Sequence, residues 1–88
     1  MHADSSPAAN THLFDARGIA RRFRHSAIFG ALSALRSGET MRFINDHDPQ
    51  PLLAQLRERF GEYLTIDYRE RGAGAVVIDF GIVGLPGA

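Results

Sequence analysis

The stretch LRSGETMRFINDHDPQPL, residues 35–52, decides the architecture. It holds the end of one helical pattern, a short strand and the start of a second helix. Upstream of it, Ile28, Ala31, Leu32 and Leu35 recur at helical spacing and define an apolar stripe that begins at Ala27. Ser37-Gly38 stops that helix, with Gly38 suited to the left-handed position at a helix C-terminus. TMRFIN (40–45) alternates as a strand, with Met41 and Phe43 on one face. Past Asp48-Pro49, the residues Leu52, Leu53, Leu56 and Phe60 return to helical spacing, and Gly61 ends the run.

Outward from this segment the pattern stays simple. HLFDARGI (12–19) predicts a short first strand ending at Gly18. Leu64, Ile66 and Tyr68 alternate with Thr65, Asp67 and Arg69, a strand with one wet face. RGAG (71–74) is a glycine-rich turn, and Val76, Ile78, Phe80 and Ile82 alternate as the last strand. The order is β-α-β-α-β-β. Two right-handed crossovers in the same direction put both helices on one face of the sheet. The predicted fold is therefore a two-layer α/β sandwich over residues 12–83. Residues 1–11 predict a disordered polar tail and 84–88 a frayed end.

Composition narrows the chemistry. A chain of 88 residues holds one domain with a modest core. No apolar run approaches a membrane span, and the polar start MHADSSPAANTH lacks the apolar centre of a secretory signal. Cysteine is absent, which excludes disulfides, thiolate metal sites and cysteine nucleophiles, and suits a cytoplasmic location. Ten Arg, without any Lys, balance ten Asp plus Glu. Zero net charge argues against a general nucleic-acid binder and leaves an RNA-binding module as a minor alternative.

Ligands of sheets with parallel crossovers favour the carboxyl ends of the strands. Two loops are predicted there, RGIARRFRHS (17–26) and NDHDPQP (45–51). If strands 1 and 2 are parallel neighbours, Arg17, Arg21, Arg22, Arg24 and His25 face Asp46, His47 and Asp48. Three chemistries compete for this juxtaposition. In the first, the residues cap and pair: Asp48 caps helix 2, Pro49 or Pro51 opens it, Ser26 caps helix 1, and arginines pair with Asp46. In the second, the arginines clamp a phosphate, a carboxylate or an RNA backbone at a helix N-terminus, opposed by Asp46 and Asp48. In the third, His25, His47 and Asp46 hold zinc or iron, opposed by the nearby arginines. Tyr63 and Tyr68 are assigned to sheet and core packing. The loop RERGAGA (69–75) lacks the following helix that a phosphate loop needs.

FDARGI (14–19), RHSAIF (24–29), LRSGETMRFINDHDPQPL (35–52) and the closing strand pair resemble the bacterial domain of unknown function 2249 family, from Leu13 to about Ile82. NDHDPQPL is the most specific of these features. The resemblance implies a bacterial cytoplasmic protein with no assigned reaction, and hemerythrin-like proteins as possible companions. That family in turn looks like the TusA/SirA-type sulfur carriers, which implies a mixed four-stranded sheet with two helices on one face. Gly18-Ile19 matches their Gly-Leu, Gly38-Glu39 their Gly-Glu, and Asp48-Pro49 their Asp-Pro. Their Cys-Pro-x-Pro falls on Arg21, Arg22 and Arg24. Arginine cannot carry a persulfide, so sulfur transfer by cysteine is excluded.

The expectation is thus a non-catalytic binding or accessory module that needs no cofactor. Arg21, Arg22, Arg24 and His25 would bind, while Asp46, His47 and Asp48 would organise the surface. The partner would be a protein or a small anionic ligand. The alternative is a metal-binding accessory module on His25 and His47.

Overall fold

A computed structural model describes residues 10–84. Strand β1 (Thr11–Asp15) lies parallel to β2 (Thr40–Asn45). The hairpin of β3 (Leu64–Gly72) and β4 (Ala75–Ile82) adds β4 antiparallel to β2, giving the order β1-β2-β4-β3. The sheet is therefore mixed and four-stranded. Helices α1 (Arg21–Ala34) and α2 (Gln50–Phe60) supply Ile28, Leu32, Leu52, Leu53 and Leu56 to one buried cluster. The same cluster takes Met41 and Phe43 from β2 and Val76, Ile78 and Phe80 from β4. These are alternate residues of each strand, so they share one sheet face, and both helices cover it. Each such fully buried side chain contributes about 1.5–3 kcal/mol of transfer free energy.

Helix α1 begins at Arg21, well before Ala27. Arginine is a good helix former, and RRFRHS contains neither Gly, Pro nor a β-branched residue. The apolar stripe is silent there because Arg21, Arg22, Phe23, His25 and Ser26 are exposed. Ser26 consequently lies inside the helix rather than capping it. The cap position belongs to Ala20, which has no side-chain acceptor. The helix also ends early, at Ala34, so Gly38 does not close it. Gly38 instead takes φ +91° in the following turn, where its N–H donates to the Ile82 carbonyl at 2.7 Å. Gly61, with φ +58°, does terminate α2.

Strand β1 stops at Asp15, short of the predicted Gly18. The Asp15 carboxylate accepts from the Arg17 N–H at 3.1 Å and caps a 3-10 turn, Ala16–Gly18, that buries Ala16. Thr11 belongs to β1 rather than to a tail. The predictions for residues 1–9 and 85–88 lie outside the described residues.

A bulge between Tyr68 and Glu70 has a consequence for the site. Tyr68 pairs with Ile78 and Arg71 with Val76, both partners being buried in the core. Three residues apart in an unbroken strand, Tyr68 and Arg71 would face opposite ways. The extra residue puts them on one face, and the Arg71 guanidinium lies 3.9 Å from the Tyr68 ring centroid. The sheet's other face carries the bidentate pair Arg42–Asp79, at 2.9 and 3.1 Å, with Arg69 3.8 Å from Asp79. Among the described residues no helix is long and apolar enough to cross a membrane.

Candidate functional site

Because β1 and β2 run in parallel and end in register at Asp15 and Ile44, the segments that follow them leave the same end of the sheet. One leads into α1 and the other into α2. Arg24, on the first turns of α1, ties the two together. Its Nε donates to the Ile19 carbonyl at 2.7 Å and its Nη1 to Asn45 Oδ1 at 3.1 Å. Nη1 also lies 3.3 Å from both Asp46 carboxylate oxygens, and Nη2 reaches the Arg17 carbonyl at 3.4 Å. Only 11% of the Arg24 side chain is exposed. Asn45, 3% exposed, completes the latch by donating from Nδ2 to the His47 carbonyl at 3.0 Å. Arg24 is therefore a cross-link inside the site, with its donors committed.

Asp46 is held below the ordinary carboxylate range, first by its hydrogen bond with His47 and then by the Arg24 charge and hydrogen bond. An ionised carboxylate only accepts, so the His47 Nδ1, 2.6 Å from Asp46 Oδ1, carries the hydrogen. That fixes the imidazole and leaves its Nε2 for other contacts.

A cleft of ≈ 200 Å³ opens between the start of α1 and the segment leading into α2. Arg21, His25 and His47 are among the polar residues that line it. Ile28, Phe43, Pro49, Pro51 and Leu52 form its apolar part. Arg21 is the first residue of α1, at the positive end of the helix dipole. Among the described residues the side chains of Arg21 and His25 have no hydrogen-bond or ion-pair partner.

The other sequence candidates go elsewhere. The Arg22 guanidinium lies 4.8 Å from the Phe23 ring centroid and takes no part in the cleft. Arg17 makes two hydrogen bonds to Asp15, at 2.9 and 2.8 Å, and thereby holds that carboxyl down to about 2. Asp48 does not cap α2: Pro49 occupies the cap position, with no side-chain cap. Asp48 turns instead toward β3, accepting from the Tyr68 hydroxyl at 2.5 Å, Gln50 Nε2 at 3.0 Å and Arg71 Nη2 at 3.1 Å. The Tyr68 hydroxyl is the main reason its carboxyl is held below the ordinary range. Burial, then the bond to Asp48, pushes the Tyr68 hydroxyl up. Tyr68 thus has a polar task beside its packing against the core. Among the described residues no group of three or more His, Asp or Glu side chains is arranged to hold a metal ion.

Sequence reasoning missed Asn45, Tyr68 and Arg71. For Asn45 a signal existed: it continues the buried alternation of Met41 and Phe43, so a polar side chain was being sent into the core.

The family model described as Uncharacterized conserved protein (DUF2249) matches residues 13–81. The chain belongs to that family. The matched segment contains the whole cleft of this chain, from Arg21 to Leu52, and the Asp48–Tyr68–Arg71 cluster. No curated relative and no solved structure matches the chain.

Proposed function

We propose that this domain is a non-catalytic binding module that takes up an anionic group in the cleft at the starts of α1 and α2. One observation carries the reading. Arg21, His25 and His47 converge on the cleft, while both carboxylates of the DHD triplet are already matched, Asp46 by Arg24 and Asp48 by Arg71. The acidic residues that opposed an anion on sequence grounds are thus neutralised from behind, and Arg21 is left in surplus. A non-catalytic role is supported by the lining, which contains no hydroxyl or thiol side chain to act as a nucleophile beside the Asp46-held His47 imidazole. The position that holds the cysteine in the sulfur-carrier pattern is Arg21.

Calorimetric titration of the purified chain with acetate, phosphate and sulfate at constant ionic strength tests this. Arg21→Gln is expected to weaken binding roughly tenfold or more, the worth of a hydrogen bond to a charged group. Unchanged affinity in that variant overturns the reading.

A second reading, uptake of zinc or iron, rests on His25 and His47 lining the same cleft. It needs further ligands from outside the domain. Near-stoichiometric metal after supplementation, lost in His47→Ala, would favour it over the anion.

A further inference from the structure

The sheet has two edges, and they are built differently. Among the described residues β1 and β3 each pair with one strand only, in the order β1-β2-β4-β3. An open edge offers its outward N–H and C=O groups to any further strand, and proteins block it with charges, bulges or proline. The β3 edge is blocked in this way. It carries the bulge between Tyr68 and Glu70 and the exposed charges of Asp67, Arg69, Glu70 and Arg71. The β1 edge, THLFD, has no bulge, no proline and no lysine or arginine. Its one acid, Asp15, is already held by Arg17 at 2.8 Å. At its centre Leu13 is 69% exposed, the most exposed large hydrophobic side chain among the described residues. Leu13 pairs with Arg42 and so lies on the sheet face opposite the helices. On the other face Phe14 is only partly buried, its ring centroid 6.3 Å from that of Phe43.

The strand is its own complement. Laid antiparallel on a second copy about a twofold axis at Leu13, it sets Leu13 opposite Leu13, Thr11 opposite Asp15 and His12 opposite Phe14. Directly opposed residues share a face, so the two leucines cover each other, and no like charges meet. Pairing β1 with β3 of another copy would continue without end, and the β3 bulge and charges stand against it. The β1–β1 joint closes after two copies. We infer that the partner of the β1 edge is a second copy of this chain, added as an antiparallel strand centred on Leu13, so that the two four-stranded sheets become one. The β1 strands then run in opposite directions. The two clefts, each at the carboxyl end of its own β1, therefore open at opposite ends of the shared sheet. A joint of five residues per copy is small, below the roughly 1,200 Å² at which standard interfaces begin, so the dimer is expected to dissociate on dilution.

Sedimentation of the full chain from micromolar to millimolar concentration, with amide hydrogen exchange at both extremes, tests this. Dimer should appear as concentration rises, and amides of residues 11–15 should gain protection with it while those of β3 do not. Leu13→Arg, at an exposed position that leaves the core untouched, brings two like charges face to face and should weaken association roughly tenfold or more. The chain has no cysteine, so a Leu13→Cys variant carries a single thiol. Opposed Cβ atoms sit about 4.5–5.5 Å apart, within reach of a disulfide after a small shift, so mild oxidation should link that variant into dimers. Phe23→Cys, exposed but on α1, should link far more slowly. A chain that stays monomeric at millimolar concentration overturns the inference. So does equal cross-linking of the two cysteine variants, a dimer unaffected by Leu13→Arg, or concentration-dependent protection on β3 instead of β1.

Discussion

Replacing Asn45 by Leu tests the latch that shapes the site. Asn45 is 3% exposed and its side chain makes two hydrogen bonds, accepting from the Arg24 guanidinium and donating to the His47 carbonyl. Leucine has nearly the same shape, so packing changes little while both bonds go. The bond from a charged donor is worth about 1.5–3 kcal/mol and the neutral one about 1 kcal/mol. The loss should therefore be about 2–4 kcal/mol, a large share of the roughly 5–15 kcal/mol that stabilises a typical domain. At about 4–8 °C per kcal/mol for a domain of this size, the melting temperature should drop by roughly 10–25 °C. Urea unfolding at neutral pH measures it, with an unchanged slope confirming that the same cooperative unit unfolds. Arg24→Leu and the double variant complete a cycle, in which a coupling of about 0.5–3 kcal/mol is expected. If Asn45→Leu costs less than about 0.5 kcal/mol, Asn45 does not hold the two loops together and the origin of the cleft must be sought elsewhere.

Acid should destabilise the domain. Asp15, Asp46, Asp48 and Glu39 are all held below their ordinary values of 3.8 for Asp and 4.5 for Glu, Asp15 down to about 2. In that interval the unfolded chain binds more protons than the folded one, so stability is complete above the ordinary values and is lost as pH falls through the lowered ones. A urea midpoint that stayed flat or rose on acidification from about pH 6 to pH 2 would contradict the pairing. Tyr68→Phe removes the chief cause of the lowered Asp48 value. Its carboxyl should then titrate at higher pH than in the wild type, seen by carboxyl carbon shifts, and no change would mean the hydroxyl bond is not made in solution.

The legible parts of the fold were those where burial alternates or recurs over a whole element. Strand β4 and helix α2 each send an unbroken apolar pattern into the core, and β2 does so up to Asn45, so their spans followed from periodicity. The first turns of α1 carry no such pattern, because their residues lie beyond the core, and the helix was read as loop there. Gly38 looked like a helix cap because its positive φ is visible in composition, whereas the structure it serves, a turn docked on Ile82, is not. In the site, topology alone was enough to bring His25 and His47 to one place. Side-chain direction was not deducible. Arg24 turns inward to the ends of both loops, Asp48 turns away to β3, and the bulge that lets Arg71 meet it depends on the register of a distant pair of strands. A run of arginines at similar spacing thus divides into one cross-link, Arg24, one residue lying over its neighbour's ring, Arg22, and one uncommitted guanidinium, Arg21.

That uncommitted Arg21 is where the account is most exposed. Mapping backbone amide shifts while sodium acetate replaces sodium chloride at fixed ionic strength tests it directly. The account predicts saturable shifts confined to residues 21–25 and 45–52, absent in Arg21→Gln, with the β3–β4 turn unmoved. Shifts centred instead on Arg42, Arg69 and Asp79 across the sheet, or none at millimolar acetate, would contradict it.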